Sequence, residues 1–234
     1  MSNDRAAARL GNLATRILSA LVLAPIAIAA AYFGGVYFAG FFALAAAAVL
    51  WEWAVLTGPA RNRWAWMMAG VFYAGVLLLA PSSLRHDAQY GFSAMLFIFA
   101  AVWATDIAAY FAGRAFGGPK LAPSISPKKT WSGAFGGTGS AVIVAIVAAR
   151  YLPESKVLAL IGVALVLSVA SQVGDLFESA LKRHFGAKDA GHLIPGHGGV
   201  MDRLDGFWAA ALVAALIGIA RGGFDATARG LLLW

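Results

Sequence analysis

Between Lys182 and Gly206 the chain reads KRHFGAKDAGHLIPGHGGVMDRLDG. His184, His192 and His197 stand there with the bases Lys182, Arg183, Lys188 and Arg203 and the acids Asp189, Asp202 and Asp205. Apolar runs flank the stretch, and a turn between two such runs needs only a few residues. Three chemistries suit this mixture. A zinc centre would use the His residues with an Asp, but their spacing makes no helical ligand pair such as H-E-x-x-H. A nucleophilic triad would use Ser179 and a His, but no nucleophile elbow is present. Phosphate chemistry with a hard cation fits best. Asp202 and Asp205, with Asp175 upstream, supply oxygen ligands of the kind Mg²⁺ takes beside substrate phosphates. Glycine backbone in PGHGG brings N–H groups close to an anion. Lys182, Arg183, Lys188 and Arg203 then neutralise the remaining phosphate charge. The blander alternative is a structural loop closed by internal salt bridges.

A second polar concentration runs from Gly113 to Trp131, GRAFGGPKLAPSISPKKTW. It carries Arg114, Lys120, Lys128 and Lys129 beside Ser124, Ser126 and Thr130, and Pro119, Pro123 and Pro127 stiffen it. Basic groups beside hydroxyls suit phosphate; a solvated basic loop at the headgroup level is the alternative. No Walker loop occurs in the chain. Four acids, Glu52, Asp106, Asp175 and Glu178, lie in or at the ends of apolar runs. Each is expected to face protein or water rather than hydrocarbon. All four fall within about two turns, roughly 10 Å, of the same end of their helices. That grouping suggests one surface site rather than a path across a membrane. Ser171, Asp175, Glu178, Ser179 and Lys182 share a helical face, where a Glu178–Lys182 ion pair is the structural reading. Glu52, in WEW, is expected to pair with Arg61 or Arg63.

The elements that must position these groups are apolar helices. Of the 234 residues 61% are hydrophobic and 12% charged, about half the usual charged share of a soluble protein. The class this implies is an all-α polytopic membrane protein, with two long cytoplasmic loops forming the site. A span needs about 20 apolar residues. Candidate spans are 17–33, 36–57, 64–80, 92–112, 131–150, 157–180 and 206–221, about seven within a range of six to nine. Gly34–Gly35 forms the turn of a hairpin, and FDATARGLLLW at the end reads as a short interfacial helix. The opening MSNDRAAARLGNLATR is polar, the apolar run after it lacks a clear small-residue cleavage site, and the opening reads as a cytoplasmic tail leading into an uncleaved first helix.

With that tail inside, the cytoplasmic segments hold Arg5, Arg9, Arg16, Arg61, Arg63, Arg114, Lys120, Lys128, Lys129, Lys182, Arg183, Lys188 and Arg203. The far side holds Arg85, Arg150, Lys156, Arg221 and Arg229. Thirteen against five sets the orientation. An odd helix count places Trp234 on the far side. The net charge of +7 then belongs to loops facing anionic lipid, and nucleic acid is not an expected partner. Cys is absent, which excludes disulfides and thiolate metal sites. The division expected is 1–91 for N-terminal membrane helices and 92–234 for a catalytic region with cytoplasmic loops 113–130 and 181–205.

The pattern Ser179-x-Leu181-Lys182-Arg183-x₄-Lys188-Asp189-x-Gly191-x₂-Ile194-Pro195-x-His197-Gly198-Gly199-Val200-x-Asp202-Arg203-Leu204-Asp205 resembles that of phosphatidate cytidylyltransferases, also called CDP-diacylglycerol synthases. SPKKTWSGAFGG, from Ser126 to Gly137, is similar to the family's other cytoplasmic motif, in which Glu often replaces Ser132. The resemblance covers roughly residues 103–206. The chain is short for the family, so an N-terminal helix or two of the usual pattern is expected to be missing.

The resemblance implies a multi-pass protein of the cell membrane, in bacteria the inner one. There the phosphate of phosphatidic acid attacks the α-phosphorus of CTP, giving CDP-diacylglycerol and pyrophosphate. It assigns Asp175 and Asp202 to Mg²⁺, with one or two divalent ions. Lys182, Arg183, Lys188, Arg203, Lys128 and Lys129 are assigned to phosphates of CTP or lipid. Ser126, Thr130, Ser179, His197, Gly198, Gly199 and Asp205 join the substrate-binding set. Partners are CTP, phosphatidic acid and membrane lipids, with a homodimer as a permitted assembly. The rival enzyme is a CTP-dependent lipid kinase of the dolichol type, in which an alcohol attacks the γ-phosphorus. A CDP-alcohol phosphotransferase lacks support, because D-G-x₂-A-R…G-x₃-D-x₃-D is absent. A secondary transporter would place acids or broken helices near the midplane, with internal repeats.

Overall fold

The computed structural model describes residues 21–191, 193 and 198–234. The chain folds into helices α1 (Leu21–Phe33), α2 (Gly35–Leu56), α3 (Arg63–His86) and α4 (Gly91–Phe116). Strands β1 (Lys120–Ala122) and β2 (Ser126–Thr130) follow, then α5 (Trp131–Tyr151), α6 (Val157–His184), α7 (Met201–Gly222) and α8 (Thr227–Leu232). Helices α2 to α7 are each long and apolar enough to cross a membrane. The expected first span is described from Leu21 onward, as α1. The opening tail, with Arg5, Arg9 and Arg16, lies outside the described residues.

Several helices outrun the apolar spans that foretold them. α3 continues through Pro81, which is buried, to His86. The hydroxyls of Ser82 and Ser83 turn back onto the carbonyls of Leu78 and Ala80 there (2.6 and 2.9 Å). α4 runs to Phe116, α6 to His184, and α7 begins at Met201. Hydropathy stops where charge begins, whereas helical hydrogen bonding does not. Asp106 and Asp175 therefore stand about 15 and 13 Å from their helix ends, deeper than the roughly 10 Å expected.

Between α1 and α2 stands Gly34 alone. Gly34 and Gly35 have φ of 64° and 49°, a left-handed conformation that favours glycine. The Arg85 guanidinium, from the end of α3, donates to the carbonyls of Ala31 and Tyr32 (2.5 and 3.1 Å). It thereby satisfies acceptors that the last turn of α1 leaves open.

α4 and α5 meet backbone to backbone. Gly133, Gly137, Ala141 and Ala145 are the buried residues of α5 and recur every fourth position. A Cβ at Gly133 would stand 2.8 Å from the Ala109 carbonyl, and one at Gly137 2.8 Å from that of Thr105. Small residues at this spacing are how apolar helices approach closely when burial from water drives nothing. Deeper in, the Thr105 hydroxyl donates to Ser168 of α6 (2.9 Å), and the Gln172 amide donates to Thr138 of α5 (3.1 Å). These bonds tie α4, α5 and α6 together where water is scarce.

α7 is the central helix and touches α2, α3, α4, α6 and α8. Its Phe207 packs against Phe42 of α2 and Phe99 of α4, with ring centroids 5.6 and 5.3 Å away. Trp208 stacks almost parallel on Tyr73 of α3 at 4.4 Å and donates its indole N–H to the Tyr73 carbonyl (2.9 Å). The terminal α8 is not interfacial as expected. It is largely buried, its Arg229 N–H donating to Asp87 (3.2 Å) and its Gly230 carbonyl accepting from Arg221. The all-α expectation needs one addition, the antiparallel β1–β2 hairpin, which pairs Lys120 with Thr130 and Ala122 with Ser126.

The helices alternate, so the bundle has two distinct ends. One gathers Glu52, Trp66, the hairpin, His184 and Met201; the other gathers Arg85, Asp87, Tyr90, Glu154 and Arg229. The α4–α5 contact predicts its own test. Gly137→Leu should lower stability by about 1–3 kcal/mol through overpacking. Gly139→Leu, with nothing within 4 Å of its would-be Cβ, should leave the melting temperature in detergent nearly unchanged.

Candidate active site

α6 presents Asp175, Glu178, Ser179 and Lys182 toward the first turn of α7. Gly174 makes the approach feasible, since a Cβ there would stand 2.5 Å from the Asp205 carbonyl. The Lys182 ammonium crosses to Asp202 Oδ1 at 2.5 Å and lies 3.3 Å from Glu178 Oε1. The Glu178–Lys182 pair, the structural alternative on this face, is thus present, but the shorter contact is to α7. Asp202 accepts on Oδ2 from the backbone N–H groups of Ala190 and Gly199, both at 2.9 Å. Ala190 and Gly199, from the described parts of the loop between the helices, are therefore drawn onto one carboxylate. Glu178 is fully buried, and neither of its oxygens has a hydrogen-bond partner among the described residues. Among the described residues the cation beside it is the Lys182 ammonium.

The hairpin brings in the other polar loop. Lys129, on β2, forms an ion pair with Asp175 Oδ2 at 2.5 Å, and the Ser179 hydroxyl donates to Asp175 Oδ1 at 3.3 Å. Thr130 ends β2 and caps α5, accepting from the Gly133 N–H at 3.2 Å. Ser132 donates to the Gly117 carbonyl and closes the hairpin's base. Thr130 is buried, so its hydroxyl serves the helix cap.

The other expected residues lie around this core. Lys128, Arg183, Lys188 and Arg203 are exposed, and the Arg183 guanidinium donates to the Ala187 carbonyl (3.0 Å). Ser126 opens β2 and is half-buried. Gly198 has φ of 84°, and a Cβ there would meet Asp202 Oδ2 at 3.1 Å. Asp205 Oδ1 accepts from the Gly206 N–H at 2.7 Å. His197 and His192 lie outside the described residues. His184, the remaining His of the zinc reading, packs its ring against Trp66 and Phe185 (5.5 and 4.9 Å).

Glu52 departs from expectation. It is 2% exposed and pairs with neither Arg61 nor Arg63 among the described residues. Its carboxylate instead accepts from the backbone N–H groups of Val200 (2.9 Å) and Met201 (2.8 Å). Depth explains the difference: a short acid inside the bundle meets the start of α7 before it can reach a surface guanidinium. The sequence held one clue, an acid in an apolar helix together with a distant loop rich in glycine.

The donor set around Asp175 and Asp202 is entirely oxygen, the kind a hard cation takes. Among the described residues no group of three or more His, Asp or Glu converges enough to hold an ion unaided. Asp175 retains 35% side-chain exposure and one oxygen off the ammonium, whereas Asp202 is engaged on both oxygens. Such a site fits Mg²⁺, which is usually held by one or two carboxylates plus substrate phosphates and water.

Both polar motifs thus meet at one end of the bundle, joined through Lys129–Asp175 and Lys182–Asp202. Residues 58–219 match the cytidylyltransferase family. The chain belongs to that family. A phosphatidate cytidylyltransferase of Brucella suis biovar 1 is 41% identical over 254 aligned residues, spanning 89% of this chain and 94% of the relative. One from Haemophilus influenzae is 42% identical over 144 residues, covering 59% of this chain and 50% of its own. One from Staphylococcus epidermidis is 41% identical over 153 residues, covering 63% and 58%. The family match takes in both polar motifs and begins after α2.

In this cytidylyltransferase the ion pairs differ in weight. Lys182→Met would leave two buried acids without their ammonium and should destabilise by about 3–5 kcal/mol. Lys129→Met opens a pair that is 25% and 35% exposed, and should shift thermal unfolding by about 1 kcal/mol or less. Adding Glu178→Gln to Lys182→Met should recover part of the lost melting temperature.

Proposed function

We propose that the protein transfers the cytidylyl group of CTP to phosphatidic acid at the cytoplasmic face of the cell membrane, serving phospholipid synthesis. The observation that carries this reading is the likeness to the Brucella suis enzyme along nearly the whole of both chains. The meeting of a basic hairpin with an acidic helix pair at one membrane end supports it. A phosphate oxygen of the lipid forms a bond to the α-phosphorus of CTP, the bond to the β-phosphate's bridging oxygen breaks, and pyrophosphate leaves. The lipid phosphate is the nucleophile, so no side chain has to attack.

The chain's work is then placement and charge. Lys128, Arg183, Lys188 and Arg203, all exposed around the charged core, bind phosphate oxygens of nucleotide and lipid. Lys129 and Lys182 keep Asp175 and Asp202 oriented. Those two acids would hold Mg²⁺, which when bound supplies neutralisation of the crowded phosphate charge. Preorganised cations of this kind lower the barrier because they need not reorient as charge moves. The basic excess of the hairpin and the α6–α7 loop supports the cytoplasmic orientation.

Purified protein supplied with phosphatidic acid, Mg²⁺ and CTP labelled at either the α or γ phosphate tests the reaction. α-label should appear in lipid and γ-label in pyrophosphate. γ-label in lipid would instead identify a kinase. Arg203→Ala should lower kcat/KM by about 30- to 5,000-fold, as loss of a charge on phosphate in a partly desolvated site does. Arg61→Ala, at the headgroup level, should change it little. For orientation, cysteines placed at Ser124 and Asp189, both exposed and with no native Cys to confuse them, should resist an impermeant thiol reagent in intact cells. Labelling of either one from outside would overturn the cytoplasmic placement.

A further inference from the structure

Glu52 belongs to neither polar motif and precedes the residues that match the family, yet the site is built on it. α7 begins with no side-chain cap of its own. Its first N–H groups need acceptors, and its dipole favours a negative charge at that end. Glu52, reaching over from α2, provides both: Oε1 accepts from Val200 and Oε2 from Met201. The neighbouring N–H, that of Gly199, goes to Asp202. Successive backbone donors at 199, 200 and 201 are thus divided between two carboxylates, one from α2 and one from α7 itself.

The loop is shaped to admit this acid. A Cβ at Gly191 would stand 2.6 Å from Glu52 Oε1, and one at Gly199 2.6 Å from Oε2. Side chains at either place would drive the carboxylate out. Trp53, next to Glu52, locks the same turn of α2 by donating its indole N–H to the Trp66 carbonyl at 2.7 Å. Glu52 is buried, so it does not itself meet solvent or nucleotide.

We infer that Glu52 is a positioning residue for the cytidylyl transfer. From outside both motifs it fixes the pitch and rotation of the first turn of α7, and with them the directions of Asp202, Arg203 and Asp205. The inference rests on the function proposed above. A misplacement of about 1 Å in such a group is enough to lower a rate about 100-fold.

Glu52→Gln keeps the side chain's length and removes its charge and one acceptor, while Gly191→Ala crowds the same carboxylate from the loop. Both are made in the full chain and assayed in detergent with phosphatidic acid, CTP and Mg²⁺, per mole of folded protein. Each should lower kcat by about 10- to 100-fold. Amide exchange of peptides covering 199–204 should rise about tenfold or more, while peptides from the middle of α6 stay as protected as in the parent. In the double variant Glu52→Gln/Gly191→Ala the losses should fall well short of multiplying, because both act on one contact. Full kcat in Glu52→Gln, multiplicative losses, or activity that falls only as the folded fraction falls would each overturn the inference. Failure of the unmodified protein to make CDP-diacylglycerol would instead reject the proposed reaction, and increased exchange at 199–204 would still report the clamp.

Discussion

A carboxylate sunk among apolar helices has to be met by a donor or a cation, and much of this structure follows from how that requirement is satisfied. Lys182 stands between Asp202 and Glu178 in surroundings where its side chain is only 12% exposed. One ammonium thereby joins α6 to α7. Asp202, held on one oxygen, gathers the loop backbone on the other. Removing water from such groups is costly, and for Asp202 the cost is offset because both of its oxygens are engaged. Glu178 is the exception, and it lies directly beside the ammonium.

The helices that carry this cluster are held by other means, suited to a medium in which burying apolar surface brings little reward. α4 and α5 touch through glycine and alanine backbone. α5 and α6 share hydroxyl and amide bonds, and α7 is wedged by Phe207 and Trp208 among three neighbours. Stability is therefore spread through the bundle, while charge is concentrated at one end. The two tasks overlap where α7 begins.

The helices and their order were legible because an apolar stretch of span length has few alternatives. Their ends were not, because hydropathy sees charge and helices extend past it, as α6 does through Lys182 and Arg183 to His184. The α6–α7 loop was legible in chemistry: acids and bases crowded into glycine-rich backbone point to phosphate before any geometry is known. The partners inside that crowd were not legible. Asp202 sits 20 residues from the lysine that holds it, and Glu52 148 from the amide it accepts. Nothing in local spacing encodes such distances. The hairpin was equally hidden, since a stretch with Pro119, Pro123 and Pro127 reads as stiff loop rather than as strand.

The hairpin springs from α4 and returns into α5, and these are the helices whose backbones are pressed together at Gly133 and Gly137. Its two roots are consequently held at a fixed separation, unlike those of a flap tethered by slack chain. Lys129 reaches Asp175 without a search through many loop conformations, and little freedom remains to be surrendered when a ligand arrives. The entropy of ordering this arm is spent when the bundle folds rather than at each turnover.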